Sequence, residues 1–311
     1  MPVAIALLSL LPLPAFGWGH DAHELINDAA IDALPDGPLK ERLVRNRPAV
    51  VFGGAEPDLI FRAHYDAEAE RHFFNLDQLD RPDERGRYGG APLTEAALEG
   101  CGRPRTGRLP IAIAELYEEL VAALSIGDDA KAARTAGLLG HYVGDATMPL
   151  HATGNFDGQE TGNAGVHFLL EVPFFHWAER RITKSMRRQV AGPDGASGDA
   201  RALAIALLEE GIRDVPALLA IDARASRAGG DMMGRSPRIL DEAVPIVARQ
   251  MARASRALAG LWLAAERDAR PPSPRSSSRP AAARGKKTPA RPRPSSTRGS
   301  RSAICERPAR G

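Results

Sequence analysis

The chain has 311 residues, 43% hydrophobic and 26% charged, enough apolar material for one large domain or two small ones; a peptide, a fibre and a wholly disordered polypeptide are excluded. The formal net charge of +2 hides an asymmetry: residues 270–311 carry twelve Lys/Arg and one acidic residue, leaving 29 basic against 38 acidic residues before them. The body is mildly acidic, and the basic character belongs to the tail.

In chain order, the first stretch, MPVAIALLSLLPLPAFG, is an apolar run ending in small residues around Phe16, the pattern a signal peptidase cuts. Residues 1–17 are therefore expected to be a signal peptide, too short to span a membrane comfortably. Export would make the protein secreted or periplasmic, with Trp18 as the mature N-terminus. From there the chain is Ala/Leu-rich, with helical periodicity and almost no strand alternation. His23–Leu34 reads as an amphipathic helix stopped by Pro35. Leu109–Ser125 carries Ile113, Leu116, Leu120 and Leu124 on one stripe, and Ala130–Ala146 runs until Met148-Pro149. Phe174–Val190, Asp199–Leu219 and Ser236–Ala265 complete the long helical patterns, with Trp177 and Trp262 expected in the core. The prediction is a single all-α, multi-helix domain over residues 18–268. Residues 269–311, dense in Arg, Pro and Ser, cannot bury enough apolar surface to order themselves and are expected to be a disordered tail that could contact polyanions.

Only two cysteines occur, Cys101 and Cys305, too few for a disulfide framework or a thiolate zinc site. Any metal must be held by nitrogen and oxygen. The segment GLLGHYVGDATMPLH places His141 and Asp145 one helical turn apart in small, apolar surroundings, with His151 following. One such pair is more often a surface hydrogen bond than a ligand pair. The spacing recurs at His167 and Glu171, again in an apolar run, and imidazole–carboxylate pairs on facing helices are how a bundle builds an interior metal site. Asp58, His72 and His23 extend the set to eight candidates, too many for one zinc ion and suited to a cluster. His20, His64 and His176 fall outside the pattern and read as exposed or as supporting residues.

Trp-Gly-x-x-x-His at a processed N-terminus, Asp followed by His fourteen residues later, His-x-x-x-Asp-x-x-x-x-x-His and His-x-x-x-Glu together resemble the superfamily of zinc-dependent bacterial phospholipase C and the single-strand-specific nucleases of S-one and P-one type, in order over about residues 18–265. The resemblance implies an all-α fold with three zinc ions in a cleft. By position, His141, Asp58, His72 and Asp145 would hold the first ion, and His151, His167 and Glu171 the second. His23, a bridging Asp145, and the free amine and carbonyl of Trp18 would hold the third. It also implies hydrolysis of a phosphate ester. Asp58 would orient or deprotonate the attacking water, Asp145 would share the catalytic role through its bridge, and Arg62, one turn beyond Asp58, could clamp phosphate. Phe73, directly after a ligand, could pack against substrate, and Asn155 and Asp157 lie in a loop placed to shape specificity.

The two branches leave mixed marks. Glu171 and the spacing from Asp58 to His72 look like the phospholipases; the short Trp-Gly-x-x-x-His start looks like the nucleases. Leu59 and Ala69 stand where the phospholipases have choline-binding aromatics, which puts phosphatidylcholine specificity in doubt. An acidic body is unfavourable for nucleic acid, although the basic tail could supply charge. The expected substrate is accordingly a phospholipid head group, with single-stranded nucleic acid as the alternative and a non-catalytic structural zinc domain as the third possibility. No obligate protein partner is evident.

Overall fold

The computed structural model describes residues 19–78, 106–195, 198–229 and 232–270. Trp18, the expected signal peptide, both cysteines and nearly all of the expected tail lie outside the described residues.

All regular structure among the described residues is helical. The ten α-helices of six residues or more among the described residues are α1 His20–Ala33, α2 Pro38–Arg45, α3 Arg47–Gly53, α4 Leu109–Ser125, α5 Asp129–Thr147, α6 Val166–Glu171, α7 Pro173–Gln189, α8 Ala200–Gly211, α9 Val215–Arg227 and α10 Met232–Asp268. Their starts follow local chemistry. Proline stands in the first turn of α2, α3, α4, α7 and α9, where a missing N–H costs nothing. Asp128 caps α5 by accepting from the Lys131 N–H at 3.0 Å, and Asp199 caps α8 by accepting from Ala202 at 2.9 Å.

Helix α5 is the axis of the fold. From Thr135 to Thr147 every residue is buried, since α1, α3, α4, α8 and α10 pack around it. Its Ala/Gly-rich sequence permits this, because small side chains let neighbouring backbones approach closely. Gly137 is the clearest case: a β-carbon there would lie 2.5 Å from the Val50 carbonyl oxygen and 2.9 Å from the Gly53 α-carbon. Asn27, fully buried on α1, locks the same junction by donating from Nδ2 to the carbonyls of Val50 at 2.8 Å and Gly137 at 3.0 Å. The longest helix, α10, has 37 residues, runs about 55 Å, and lies across α1, α4, α5, α7 and α9. It contains Pro237 and Pro245, which isolated propensity would not allow; packing overrides it. One continuous apolar core runs through the assembly, with Trp262 at its centre donating from Nε1 to the Ala136 carbonyl at 3.3 Å.

The long helices fall close to their predicted bounds, with two corrections. The pattern read as one helix over Asp199–Leu219 is two: a 3-10 turn at Ile212–Asp214 breaks it, and Pro216 starts α9, which continues to Arg227. Trp177 is not core. It is 55% exposed, because the buried stripe of α7 runs through Phe174, Ala178, Ile182 and Met186, and Trp177 lies off it.

The α3–α5 crossing leaves no room for a methyl group. Gly137→Ala is expected to destabilise the protein by about 1–3 kcal/mol, the usual cost of overpacking. Urea unfolding monitored by circular dichroism checks this, and an unchanged midpoint would contradict so tight a contact.

Candidate metal centre

Between α3 and α4 the backbone leaves regular α-geometry. A π-helical turn at Pro57–Phe61 carries Asp58, and a 3-10 segment at Asp66–His72 ends in His72. Both are fastened to the bundle. Glu56 pairs with Arg134 of α5, and the Phe74 N–H donates to the His151 carbonyl at 2.9 Å, joining the His72 strand of chain to the 3-10 turn Pro149–Ala152 that carries His151. Asp77 reinforces this junction by accepting from Thr153 Oγ1 at 2.6 Å and from the Gly154 N–H at 2.9 Å.

These turns bring Asp58, His72 and His151 to the C-terminal half of α5, opposite His23 of α1 and the His167–Glu171 pair of α6. Three groups of donor atoms result, each with its ligand-capable atoms within 4.8 Å of one another: His23–His141–Asp145, Asp58–His72–His141 and His151–His167–Glu171. All eight residues are buried. The third grouping is the one expected from the sequence. The other two contain the expected residues and share His141, whose Nε2 lies 3.0 Å from His72 Nδ1 and 3.2 Å from Asp145. Asp145 is the hub. Its Oδ2 lies 3.0 Å from His72 Nδ1, and its Oδ1 lies 3.5 Å from His23 Nε2 and 3.3 Å from His151 Nδ1.

The donor spacing suits a metal. Ligands at about 2.0–2.1 Å from a tetrahedral ion sit about 3.3 Å from one another. Here His151 Nε2 is 3.0 Å from His167 Nε2 and 3.4 Å from Glu171 Oε1, while His72 Nδ1 is 3.6 Å from Asp58 Oδ1. The protein alone does not satisfy these groups. Both ring nitrogens of His23, Asp58 Oδ2, Asp145 Oδ1, His151 Nδ1 and both Glu171 oxygens are buried without a hydrogen bond. Glu171 Oε1 approaches His167 Nε2 to 2.6 Å, but the pair lacks hydrogen-bond alignment. Buried polar atoms are normally paired, so a cluster of orphans marks a place for a cation. Imidazole and carboxylate donors without thiolate are compatible with zinc.

The electrostatics divide: two imidazoles hold the ligating form, whereas His141 and Glu171 are drawn towards their protonated forms. Burial, aided by the neighbouring His141 at His23 and by Arg62 at His167, depresses both imidazoles to about 4, so both are neutral, the form that ligates. Burial raises the Glu171 carboxyl to about 8. Burial also opposes ionisation of Asp145, yet the imidazoles of His141 and His151 outweigh it and hold the group well below the usual carboxylate range. For His141, burial is overcome by Asp145 and Asp58, which raise it to about 9.

Supporting contacts set ring orientation. His141 Nδ1 is 2.7 Å from the Gly54 carbonyl, which leaves Nε2 for the donor groups. Gly144 makes room for His23: a β-carbon there would fall 2.7 Å from its Nδ1. Asp157, expected at the cleft rim, accepts instead from the N–H groups of Gly165 at 2.9 Å and His167 at 3.2 Å, pinning the start of α6.

A cleft of about 300 Å³ opens onto the donor groups, with His72, His151 and His167 in its wall. Arg62 and Phe73 line it, as the sequence suggested, and Arg62 Nη1 lies 3.3 Å from Asp58 Oδ1. Asn155 does not. Its Oδ1 accepts from the Glu160 N–H at 2.8 Å and its Nδ2 donates to Thr161 at 3.2 Å, so it braces the loop from within. Asn75, Phe156 and Glu160, which sequence reasoning passed over, line the cleft in its place. Leu59 is 47% exposed, whereas Ala69 is part of the cleft wall. His64 and His176 are exposed and His20 is partly buried.

Fold and site together define an all-α protein with three candidate metal-binding groups beside one cleft. Among solved structures the chain is similar to the alpha toxin of Clostridium absonum, with a TM-score of 0.48 and 14% identity, over 82% of this chain and 64% of that one. It is likewise similar to the alpha-toxin of an avian strain of Clostridium perfringens, with a TM-score of 0.46 and 14% identity, over 81% of this chain and 65% of that one. The chain thus spans just under two thirds of each toxin's length. No protein-family model and no curated protein matches the chain.

Because Asp145 belongs to one donor group, lies against His72 of a second and against Nδ1 of His151 in the third, whereas His167 belongs to one, Asp145→Ala is expected to lower bound zinc per chain more than His167→Ala. Elemental analysis of both variants against the wild-type protein decides this; equal losses would remove Asp145 from the hub.

Proposed function

We propose that the protein is a zinc-dependent phosphoesterase that hydrolyses phosphodiesters, with phospholipid head groups as the preferred class and export as its destination. The observation that carries this reading is the set of unsatisfied, buried nitrogen and oxygen donors lying directly beside an open cleft that also presents an arginine. A purely structural zinc site closes on four protein ligands, whereas here two of the three donor groups share His141 and one side faces the cleft.

Asp58, His72, His141 and Asp145 would hold one ion, His151, His167 and Glu171 a second, and His23 with Asp145 and the Trp18 amine a third. When bound, zinc supplies neutralisation of phosphoryl charge and acidification of water at neutral pH. The chain's own residues do the rest. Asp58 Oδ2, buried without a hydrogen-bond partner, is placed to accept a proton from water or to orient it. Arg62 can release its 3.3 Å contact with Asp58 to pair with a substrate phosphate, and its planar fork suits two oxygens at once. Phe73 and Phe156 supply apolar walls, and Glu160 at the cleft wall disfavours a polyanionic strand. The same two aromatic side chains favour a second reading, a single-strand-specific nuclease, since a base can stack on them. No helix of the described residues is long and apolar enough to cross a membrane.

The test is a parallel assay of the purified, zinc-loaded protein on short-chain phosphatidylcholine and phosphatidylethanolamine and on single-stranded DNA and RNA. Phospholipid cleavage that a chelator abolishes and zinc restores is expected; cleavage of nucleic acid alone would reverse the order, and inactivity even on bis-nitrophenyl phosphate would leave the structural-zinc reading. In the same assay Arg62→Ala should lower kcat/KM by about 10- to 100-fold at unchanged zinc content, the worth of a charge-assisted hydrogen bond.

A further inference from the structure

Glu68 is a buried carboxylate that none of the roles above uses. It lies four residues before His72 and is 6% exposed; its Oε1 sits 3.3 Å from His72 Nε2, the ring nitrogen that points away from the donor groups and is buried without an aligned hydrogen bond. Burying a carboxylate is costly unless it is compensated. Tyr142 donates its hydroxyl to Glu68 Oε1, and Arg71 Nε stands 3.6 Å from Oε2. Arg71 is held in turn over the Tyr142 ring, 5.3 Å from its centroid, and by Glu115 at 2.6 Å. Three side chains, Tyr142, Arg71 and Glu115, are thus committed to keeping one anion behind His72.

The other face of the ring shows what the anion is for. His72 Nδ1 is 3.0 Å from Asp145 Oδ2, 3.0 Å from His141 Nε2 and 3.6 Å from Asp58 Oδ1. A neutral imidazole carries one proton, and two carboxylates compete for it. If Asp145 wins, the proton sits on Nδ1 and blocks the only nitrogen that faces the donor groups. If Glu68 wins, the proton sits on Nε2 and the Nδ1 lone pair is free.

We propose that Glu68 is a positioning residue that holds His72 in the Nε2-protonated tautomer, making Nδ1 the ligating atom, with Tyr142 and Arg71 holding Glu68 in place. The inference rests on the metal-centre reading above. It makes the α5 tyrosine next to His141 part of the site's support although it touches no donor group's ligating atom.

The experiment compares wild type, Glu68→Ala, Glu68→Gln and Tyr142→Phe by zinc competition against a chromophoric chelator and by long-range 1H–15N correlation spectra of the histidine rings, with His72 assigned by a His72→Ala variant. Circular dichroism confirms that each is folded. In the zinc-loaded wild type the His72 ring should show a protonated Nε2 and a metal-shifted Nδ1. Glu68→Ala should weaken zinc binding by about 10- to 100-fold, the usual effect of losing an outer-shell partner. Glu68→Gln, whose amide oxygen still accepts from Nε2–H, should recover most of that loss and keep the tautomer, and Tyr142→Phe should fall between the two. Unchanged affinity in Glu68→Ala, equal losses in Ala and Gln, or a protonated Nδ1 in the wild type would each overturn the proposal. If the wild type binds no zinc, it is the metal-centre reading that fails; the spectrum of the metal-free protein in alkaline buffer then decides, with Nε2–H supporting the role of Glu68 and Nδ1–H overturning it.

Discussion

The interaction on which the site depends is the burial of the Asp145 carboxylate among imidazoles. A carboxylate removed from water loses hydration worth several kcal/mol even after relaxation, and only opposite charge or strong donors restore it. Asp145 is fully buried, and His23, His72, His141 and His151 reach it from four different stretches of chain. The packing follows from that meeting point. Gly144 gives way so that His23 can approach, Gly54 offers its carbonyl to His141, and Asn27 ties α1 to the α3–α5 crossing one turn from His23.

Much of this was legible in the sequence because it is periodic. His141–Asp145 and His167–Glu171 stand one turn apart on real helices, and a helix transmits spacing faithfully into space. The long helices were legible for the same reason. What escaped is what periodicity does not encode. Asp58 and His72 lie on π- and 3-10 turns, so a resemblance rather than a pattern placed them. Glu68 carries the same four-residue offset to a histidine that exposed the other pairs, but it is embedded in an acidic, surface-like run, Asp66 to Glu70, whose composition argues for solvent. Trp177 misled because hydrophobic neighbours in sequence are not neighbours on a helix face. In the loop between His151 and His167, the side chains divide between bracing and lining according to contacts made within the loop. The position of Asn155 alone therefore could not predict that Phe156 and Glu160 reach the cleft while Asn155 turns inward.

That loop couples the cleft wall to the donor groups. Asp157 pins the backbone of His167, and Asp77 pins the chain just after His151, while Phe156 and Glu160 lie between these two anchors. A further anchor, Asn163, donates to Asp222 at 2.8 Å, and Asp222 is paired with Arg235. Altering the cleft wall therefore pulls on ligand geometry, even though most of the loop's residues touch no donor.

The shared hub also bears on how the molecule is made. The donors that converge at Asp145 and its neighbours come from positions as far apart as His23 and Glu171, so their meeting closes loops of well over a hundred residues. Closing such loops costs chain entropy before any contact rewards it, and contacts between distant segments form late and slowly. A nascent chain released before α6 has emerged holds mutually exposed imidazoles and carboxylates with no common partner. The last short helix, six residues carrying His167 and Glu171, is in this sense the clasp that completes the donor set.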